Sequence, residues 1–372
     1  MTAREVIEQE IRERGPIPFS RYMELCLYHP NVGYYARSGE QFGKAGDFYT
    51  ASDVHAVFGR LLARQFEEMW RLLGSPARLD IVELGPGRGL FARDVMDWSR
   101  KTFPQFYHAL RYTLVEISPA LREALRIRLA QQIATGKVML VENPEKVAKG
   151  EDVVVFANEF FDALPVEVLS DRGSLRISLQ GDRLVETFAP LSAQELEFLD
   201  RYSVHPQPGE RVEAALAALA WARRIAAMIQ RGLVILIDYG YTREEQLAGR
   251  HLGTIMAYRQ HTASPNPYEA PGEQDITAHV NFTALQAAGE AAGLETLGLI
   301  TQSQFLMGIG EANQFADAFE DCALPQERAK VTLQLKHLVT PAGMGDTFRV
   351  LLMSKGVAKE NAAQLSGLRF SR

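Results

Sequence analysis

Apolar positions follow two rhythms along the chain. Over the first 78 residues they recur at helical spacing. Residues 3–14 read as an amphipathic helix that Gly15-Pro16-Ile17-Pro18 terminates. Ser20 can cap a second helix running to Leu27. A third helical stripe covers residues 54–73. Between these two, residues 29–52 are rich in Gly, Tyr and Phe and read as irregular. From residue 79 the rhythm changes, and continuous apolar runs alternate with helix-spaced ones. LDIVEL is followed by a helix from Leu90, RYTLVEI by a helix from Pro119, and KVMLVE by DVVVFA. Fully apolar, β-branched runs mark strands buried on both faces, and this alternation predicts βαβ units and a parallel sheet.

Residues 166–188 interrupt that pattern. They read as two or three short antiparallel strands, with turns at Asp171-Arg172-Gly173 and Gly181-Asp182. Helices are expected over 192–202 and, rich in alanine, over 210–230. GLVILIDYG then reads as another buried strand, LETLGLIT and DTFRVLLMS as late strands, and 358–372 as a frayed tail. The expected organisation is a helical segment over 1–78, an α/β domain over 79–357 with insertions at about 166–230 and 303–345, and the tail.

Composition narrows the class. The 372 residues are 47% hydrophobic and 23% charged, enough for a substantial core. A formal charge of −6 argues against a nucleic-acid binder, which carries a basic patch. Cys26 and Cys322 are the two cysteines, far apart and without a CxxC pair, so neither a disulfide framework nor a metal site is expected. Both read as buried thiols in a reducing compartment. The start, MTAREVIEQEIRERG, has neither an apolar signal core nor the acid-poor make-up of a transit peptide. No apolar run approaches membrane-span length. A cytoplasmic protein without membrane insertion is expected.

The segment IVELGPGRGLF joins a predicted strand to a predicted helix. Gly85, Gly87 and Gly89 remove side chains where a ligand could approach the backbone, and the helix start offers free N–H groups. The bland alternative is a tight strand-to-helix turn. The dinucleotide fingerprint wants a small residue where this chain has Leu90, so a pyrophosphate is not specifically expected. Glu83 just before the loop would repel phosphate and favour an ammonium group. One strand later Glu116 ends LVEIS, where a carboxylate can accept both hydroxyls of a ribose.

Glu83-Leu84-Gly85-Pro86-Gly87-Arg88-Gly89, followed by Glu116, resembles the class I S-adenosylmethionine methyltransferases. That resemblance implies a Rossmann-like, mostly parallel sheet with an antiparallel terminal strand. It also implies S-adenosyl-L-methionine as cofactor, with the glycine loop on its methionine end and Glu116 on its ribose. LETLGLIT and DTFRVLLMS would supply the antiparallel pair. Three longer segments resemble one branch, the MidA-type family: GDFYTASDVHAVFG (46–59), ANEFFDALPVEV (157–168) and DITAHVNF (275–282). The likeness extends nearly end to end, from GPIPFSRYMELCLYHPNVGYYA onward. A mitochondrial relative in that family is described as a protein-arginine methyltransferase serving assembly of respiratory complex I. A protein substrate, such as a complex I subunit, is therefore implied, and the missing transit peptide suits a bacterial member. The family commonly reads Thr-Ser-Pro-Glu where this chain has Thr50-Ala51-Ser52-Asp53, so no role is carried over to Asp53.

Methyl transfer from a sulfonium needs in-line alignment and exclusion of water. A guanidinium acceptor is protonated at neutral pH, and carboxylates can bind its fork and fix its orientation. Glu159 and Asp162 emerge at the carboxyl end of the fourth strand, where this fold meets its cofactor. They are the expected clasp, although such residues also cap turns. Glu167, eight residues beyond Glu159, gives a spacing similar to the paired glutamates of other arginine methyltransferases. Asn158 could bind the amino-acid end of the cofactor. Tyr239 and Tyr241 could line a substrate channel or pack in the core. His279 could act as a base, and Asn281 could cap the helix after it. The stretch GKAGDFYTAS could fold over the cofactor, with Asp47 and Thr50 as polar contacts. An apolar face on the 166–188 insertion could pair two copies as a homodimer. Two rivals remain at this level. One is a nicotinamide-dependent dehydrogenase, disfavoured by Leu90 and the antiparallel pair. The other is a non-catalytic assembly factor that keeps the fold.

Overall fold

The computed structural model describes residues 1–36, 56–147, 150–249, 252–260 and 262–370. Asp47, Thr50, Asp53 and the whole GKAGDFYTAS segment lie outside the described residues. The apolar runs form one large sheet of strands β1 (Leu79–Leu84), β2 (Leu110–Val115), β3 (Val138–Val141), β4 (Gly150–Asn158), β5 (Ile229–Tyr241), β6 (Glu295–Thr301) and β7 (Phe348–Lys355). Their order is β3-β2-β1-β4-β5-β7-β6, and a two-residue strand, Val280–Asn281, pairs with the end of β5. The first five strands run parallel. β7 inserts antiparallel between β5 and β6, the terminal arrangement expected from LETLGLIT and DTFRVLLMS. After β3 the chain returns to the other side of β1, so the strand order reverses between β1 and β4. In open α/β sheets a crevice forms at the carboxyl ends beside such a switch.

The continuous apolar character of the strands has a direct cause. Successive side chains point to opposite faces, and both faces carry a core. Val153, Val155 and Ala157 pack with Val82, Val234 and the helices Leu216–Met228 and Phe282–Ala291. Val154 and Phe156 face the other way, toward Ile81, Ile235 and the helices Ala56–Leu72, Leu90–Thr102 and Gln302–Glu311. Phe156 stacks on Phe91 with ring centroids 4.4 Å apart, which ties the helix after the glycine loop to β4.

A second, antiparallel sheet joins Ile17–Pro18, Gly173–Gln180, Glu167–Ser170, Val212–Ala214 and Arg183–Ala189. It packs on the helices Ala3–Arg14 and Phe19–Tyr28 through Ile7, Phe19, Tyr22, Val168 and Ile177. A three-stranded sheet of Met256–Arg259, Thr262–Ser264 and Asp275–Thr277 completes the strands.

Four local expectations change. The alanine-rich helix is shorter, Leu216–Met228, because Val212–Ala214 is drafted into the second sheet opposite Glu167–Leu169. Long-range pairing overrides local helix propensity there. Ser20 sits inside its helix rather than capping it, and its hydroxyl donates to Glu167 Oε1 at 2.5 Å. The described part of the C-terminal tail is packed rather than frayed. Leu365 and Leu368 enter the core, and Gly367 N donates to Gln65 Oε1 at 2.9 Å. Cys26 is buried as expected, but Cys322 is only half-buried.

Ile235 is fully buried between β4 and β7. Ile235→Ala is expected to lower unfolding free energy by about 2–5 kcal/mol. The exposed Ile127→Ala is expected to change it by less than about 0.5 kcal/mol. Denaturant midpoints of the two variants check this, and equal effects would contradict the two-faced core.

Candidate functional site

The glycine loop leaves β1 through three left-handed positions, with φ of 63° at Gly85, 50° at Gly87 and 70° at Gly89. Space adds to the backbone demand. A Cβ on Gly85 would lie 2.9 Å from the Phe160 ring, and one on Gly89 2.5 Å from Leu125 Cδ2. Gly85 N donates to Val115 O at 3.1 Å, which folds the loop against β2. The helix Leu90–Thr102 then starts at Gly89 without a side-chain cap.

Two carboxyl groups flank the loop. Glu83 is buried on β1, where the Tyr112 hydroxyl donates to its Oε2 at 2.8 Å. Burial pushes its pKa up to about 8, against the pull of that hydrogen bond. Glu116 follows β2, is also buried, and accepts from Ser118 N at 2.7 Å. Burial pushes it up to about 7, while the Ser118 N–H and the Arg122 charge pull it down.

The turn after β4 is built around a residue from the neighbouring strand. Asp238 Oδ2 accepts from the N–H groups of Phe160 (3.2 Å), Phe161 (2.9 Å) and Asp162 (3.3 Å), and Oδ1 accepts from Tyr239 N (3.0 Å). Burial pushes Asp238 up, as do the nearby charges of Asp162 and Glu159, and the N–H groups of Phe161 and Asp162 oppose that. Glu159 enters the turn at φ 50°, a conformation that costs a residue with a side chain about 1–3 kcal/mol. Its N–H donates to Ile237 O at 3.0 Å. Asn158 Nδ2 donates to Glu159 Oε1 at 3.0 Å, whereas Asn158 Oδ1 is buried without a hydrogen-bond partner among the described residues.

Asp162 closes the turn. The Tyr239 hydroxyl donates to its Oδ2 at 2.6 Å, and its backbone carbonyl accepts from Ala278 N at 2.9 Å. Burial pushes its carboxyl up to about 6, with the Tyr239 hydrogen bond opposing. The contact with Ala278 brings His279 to the same place. The imidazole meets the Tyr239 ring edge-on at 5.3 Å between centroids. His279 N donates to Thr254 Oγ1 at 3.1 Å, and that hydroxyl donates to Glu213 Oε2 at 3.0 Å.

The glycine loop and the turn after β4 open on a cavity of about 980 Å³. It holds Glu83, Gly85, Gly87, Glu116, Asn158, Glu159, Asp162 and His279 in one place, all residues singled out by the sequence pattern. Gly89 is not in the lining and instead starts the helix. Tyr239 lines the cavity, while Tyr241 is buried elsewhere against Gln246. Glu167 is not brought in. It is taken by Ser20, lies 3.8 Å from Arg176, and faces a separate recess. The lining also includes Tyr28, Tyr35, Tyr258 and Asp275, which the sequence pattern did not single out. Asp275 heads the quoted DITAHVNF, and the two N-terminal tyrosines stand in the quoted LYHPNVGYYA; those segments were the available signal.

The residues present fit S-adenosylmethionine. The orphaned Asn158 Oδ1 is an acceptor suited to an α-ammonium group, and the loop lets a ligand reach backbone N–H groups. Glu116 places a carboxylate where ribose hydroxyls could donate to it, and the apolar Ile117 beside it is 49% exposed in the cavity wall.

Comparison with known proteins agrees with this geometry. A family model described as "Putative S-adenosyl-L-methionine-dependent methyltransferase" matches residues 61–300. The chain is 31% identical to the protein arginine methyltransferase NDUFAF7 homolog, mitochondrial, of Drosophila melanogaster, over 94% of this chain and 84% of that one. It is 27% identical to the Homo sapiens protein arginine methyltransferase NDUFAF7, mitochondrial, over 91% of this chain and 80% of that one. A crystal structure from Burkholderia thailandensis, bound to S-adenosyl-homocysteine, superposes with a TM-score of 0.84 at 28% identity, covering 99% of this chain and 95% of that one.

Two outcomes follow from the buried carboxyl groups. Glu116→Ala is expected to weaken S-adenosylhomocysteine binding by about 1.5–3 kcal/mol, read by calorimetric titration. Unchanged affinity would remove Glu116 from the ribose site. Glu83, Glu116, Asp162 and Glu213 are raised to about 8, 7, 6 and 7, so the folded chain binds these protons more tightly than the unfolded chain. Their contribution favours folding most at about pH 4 and below, and it is lost as pH rises through the folded values. The thermal midpoint of the ligand-free protein is expected to fall between about pH 5 and pH 8, less steeply in Glu213→Gln. A midpoint that rises over that range would contradict the assignment.

Proposed function

The chain belongs to this family of S-adenosyl-L-methionine-dependent methyltransferases, and from that membership we propose that it methylates an arginine side chain of a protein. The observation that carries the proposal is the charge of the cavity. The acidic side chains Glu24, Glu116, Glu142, Glu145, Glu159, Asp162 and Asp275 line it, against Arg88 and Arg224. A cationic acceptor suits such a wall, and a guanidinium suits it best because its fork pairs with carboxylates in a plane. The names of the relatives support the same acceptor.

S-adenosylmethionine supplies an electrophilic methyl group. The chain's own residues do the rest. Asn158 and the glycine loop hold the amino-acid end, and Glu116 holds the ribose. Glu159 and Asp162 grip the guanidinium and point one nitrogen along the line of transfer. As that nitrogen gains carbon it sheds a proton, and Asp162 or the His279 imidazole accepts it. Tyr239 keeps Asp162 in place through its hydroxyl. A complex I subunit is the proposed protein partner, on the MidA-type resemblance. The free thiols Cys26 and Cys322 support a reducing setting such as the cytoplasm.

The test is transfer of labelled methyl from S-adenosylmethionine into cell lysate, followed by mass spectrometry. Methylarginine formed by the wild type and missing with Gly87→Val is the expected result. No label, or label confined to other residue types, would overturn the arginine reading. Glu159→Gln is expected to keep S-adenosylhomocysteine affinity and lose at least about 100-fold in transfer. Retained turnover would refute the grip by Glu159.

A further inference from the structure

A second group of side chains lines the cavity, drawn from elements far apart in the sequence. Tyr28 ends the helix Phe19–Tyr28, and Tyr35 lies in the short turn Tyr34–Ala36. Tyr258 and Asp275 are directly opposite one another on antiparallel strands of the three-stranded sheet. The rings of Tyr28 and Tyr35 lie 5.4 Å apart. Tyr35 donates its hydroxyl to Asp275 Oδ1 at 3.0 Å, and Tyr28 donates to the carbonyl of Ala163, next to Asp162, at 2.8 Å. The two neighbouring rings therefore bridge the turn after β4 to the strand carrying Asp275.

Both acids are buried, Asp275 at 3% and Asp162 at 6% exposure. Asp162 Oδ1 makes no hydrogen bond among the described residues. Tyr239 adds a fourth ring, bonded to Asp162 Oδ2. Burial pushes the phenols of Tyr28, Tyr35 and Tyr258 up, and the charges of Asp275 and Asp162 push all three further. Both carboxylates thus act on the same three rings. Two buried carboxyl groups among four tyrosines, open to a cavity, make a wall suited to a cation.

We propose that Asp162 and Asp275, walled by Tyr28, Tyr35, Tyr239 and Tyr258, form the seat of the substrate guanidinium. The inference rests on the arginine reading above and adds Asp275 and three tyrosines to it. A guanidinium is planar, weakly hydrated and able to stack on aromatic faces while its edges pair with carboxylates. Asp275 is a positioning and specificity residue in this seat. It orients the side chain against Asp162, while Glu159 grips the same guanidinium from the end of β4.

The experiment uses the full chain saturated with S-adenosylhomocysteine. Arginine amide and its neutral counterpart citrulline amide are titrated calorimetrically. Arginine amide is expected to bind at least about 10-fold more tightly than citrulline amide. Asp275→Asn and, at a half-exposed position, Tyr258→Leu are each expected to weaken arginine amide about 10-fold. Both variants are expected to keep S-adenosylhomocysteine affinity within about 2-fold, which also reports that they fold. Equal binding of the two amides, no binding of arginine amide, or unchanged affinity in both variants would overturn the seat. Methylarginine formed by Asp275→Asn with unaltered KM would overturn the seat and leave the arginine reading standing. Label found only on another residue type would remove that reading, and the titration would still decide the seat.

Discussion

The site depends on one buried carboxyl group that collects backbone N–H donors. Asp238 lies on β5 and takes the N–H groups of Phe160, Phe161, Asp162 and Tyr239. The first three of these N–H groups follow the point where β4 stops pairing, and a buried N–H left without an acceptor is costly. By gathering them, Asp238 fixes a tight turn onto the end of β4. The turn sets Glu159 in a left-handed backbone, presents Asp162 to the Tyr239 hydroxyl, and leaves Asn158 Oδ1 without a partner among the described residues. Strain and unsatisfied polarity are thus concentrated at the cofactor edge of the sheet, where a ligand can relieve them.

The sheet makes such concentration tolerable. Its central strands carry a core on each face, so the cost of a polar, strained turn is set against extensive apolar burial. Among the carboxyl groups raised by burial are the four at Glu83, Glu116, Asp162 and Glu213, where burial works against charge. Three of them line the cavity. Ligands that hydrogen-bond or pair with those groups favour the ionised form, so binding, proton release and stability are linked. The fourth, Glu213, acts through Thr254 on the segment that carries His279.

Much of this was legible in the chain, and the rest was hidden for physical reasons. Continuous runs such as DVVVFA announced strands with two covered faces, because only that burial demands apolar residues at every position. The glycine loop and Glu116 were legible because a backbone conformation and a strand end impose residue types locally. Asn158, Glu159 and Asp162 stood out as polar residues emitted by an apolar strand. The role of Asp238 was not legible, since three of its donors lie 76 to 78 positions earlier and nothing local distinguishes it from a strand-end acid. Tyr28, Tyr35, Tyr258 and Asp275 were hidden likewise, because they converge only through tertiary contacts. Val212–Ala214 looked helical because its alanine-rich surroundings are, until a distant strand edge claims it.

Glu167 shows the opposite error. Its spacing from Glu159 suggested a partner in one clasp, but β-structure sends it away from the cavity to Ser20 and Arg176. The proposed seat instead adds to Glu159 and Asp162 a carboxylate from a different sheet, Asp275. The most direct test is a crystal structure of the chain with S-adenosylhomocysteine and an arginine-containing peptide. The account predicts a guanidinium between Asp162 and Asp275, one nitrogen facing the sulfur, and the ligand's α-ammonium on Asn158 Oδ1. A guanidinium held elsewhere, with Asp162 and Asp275 making no contact to it, would contradict it.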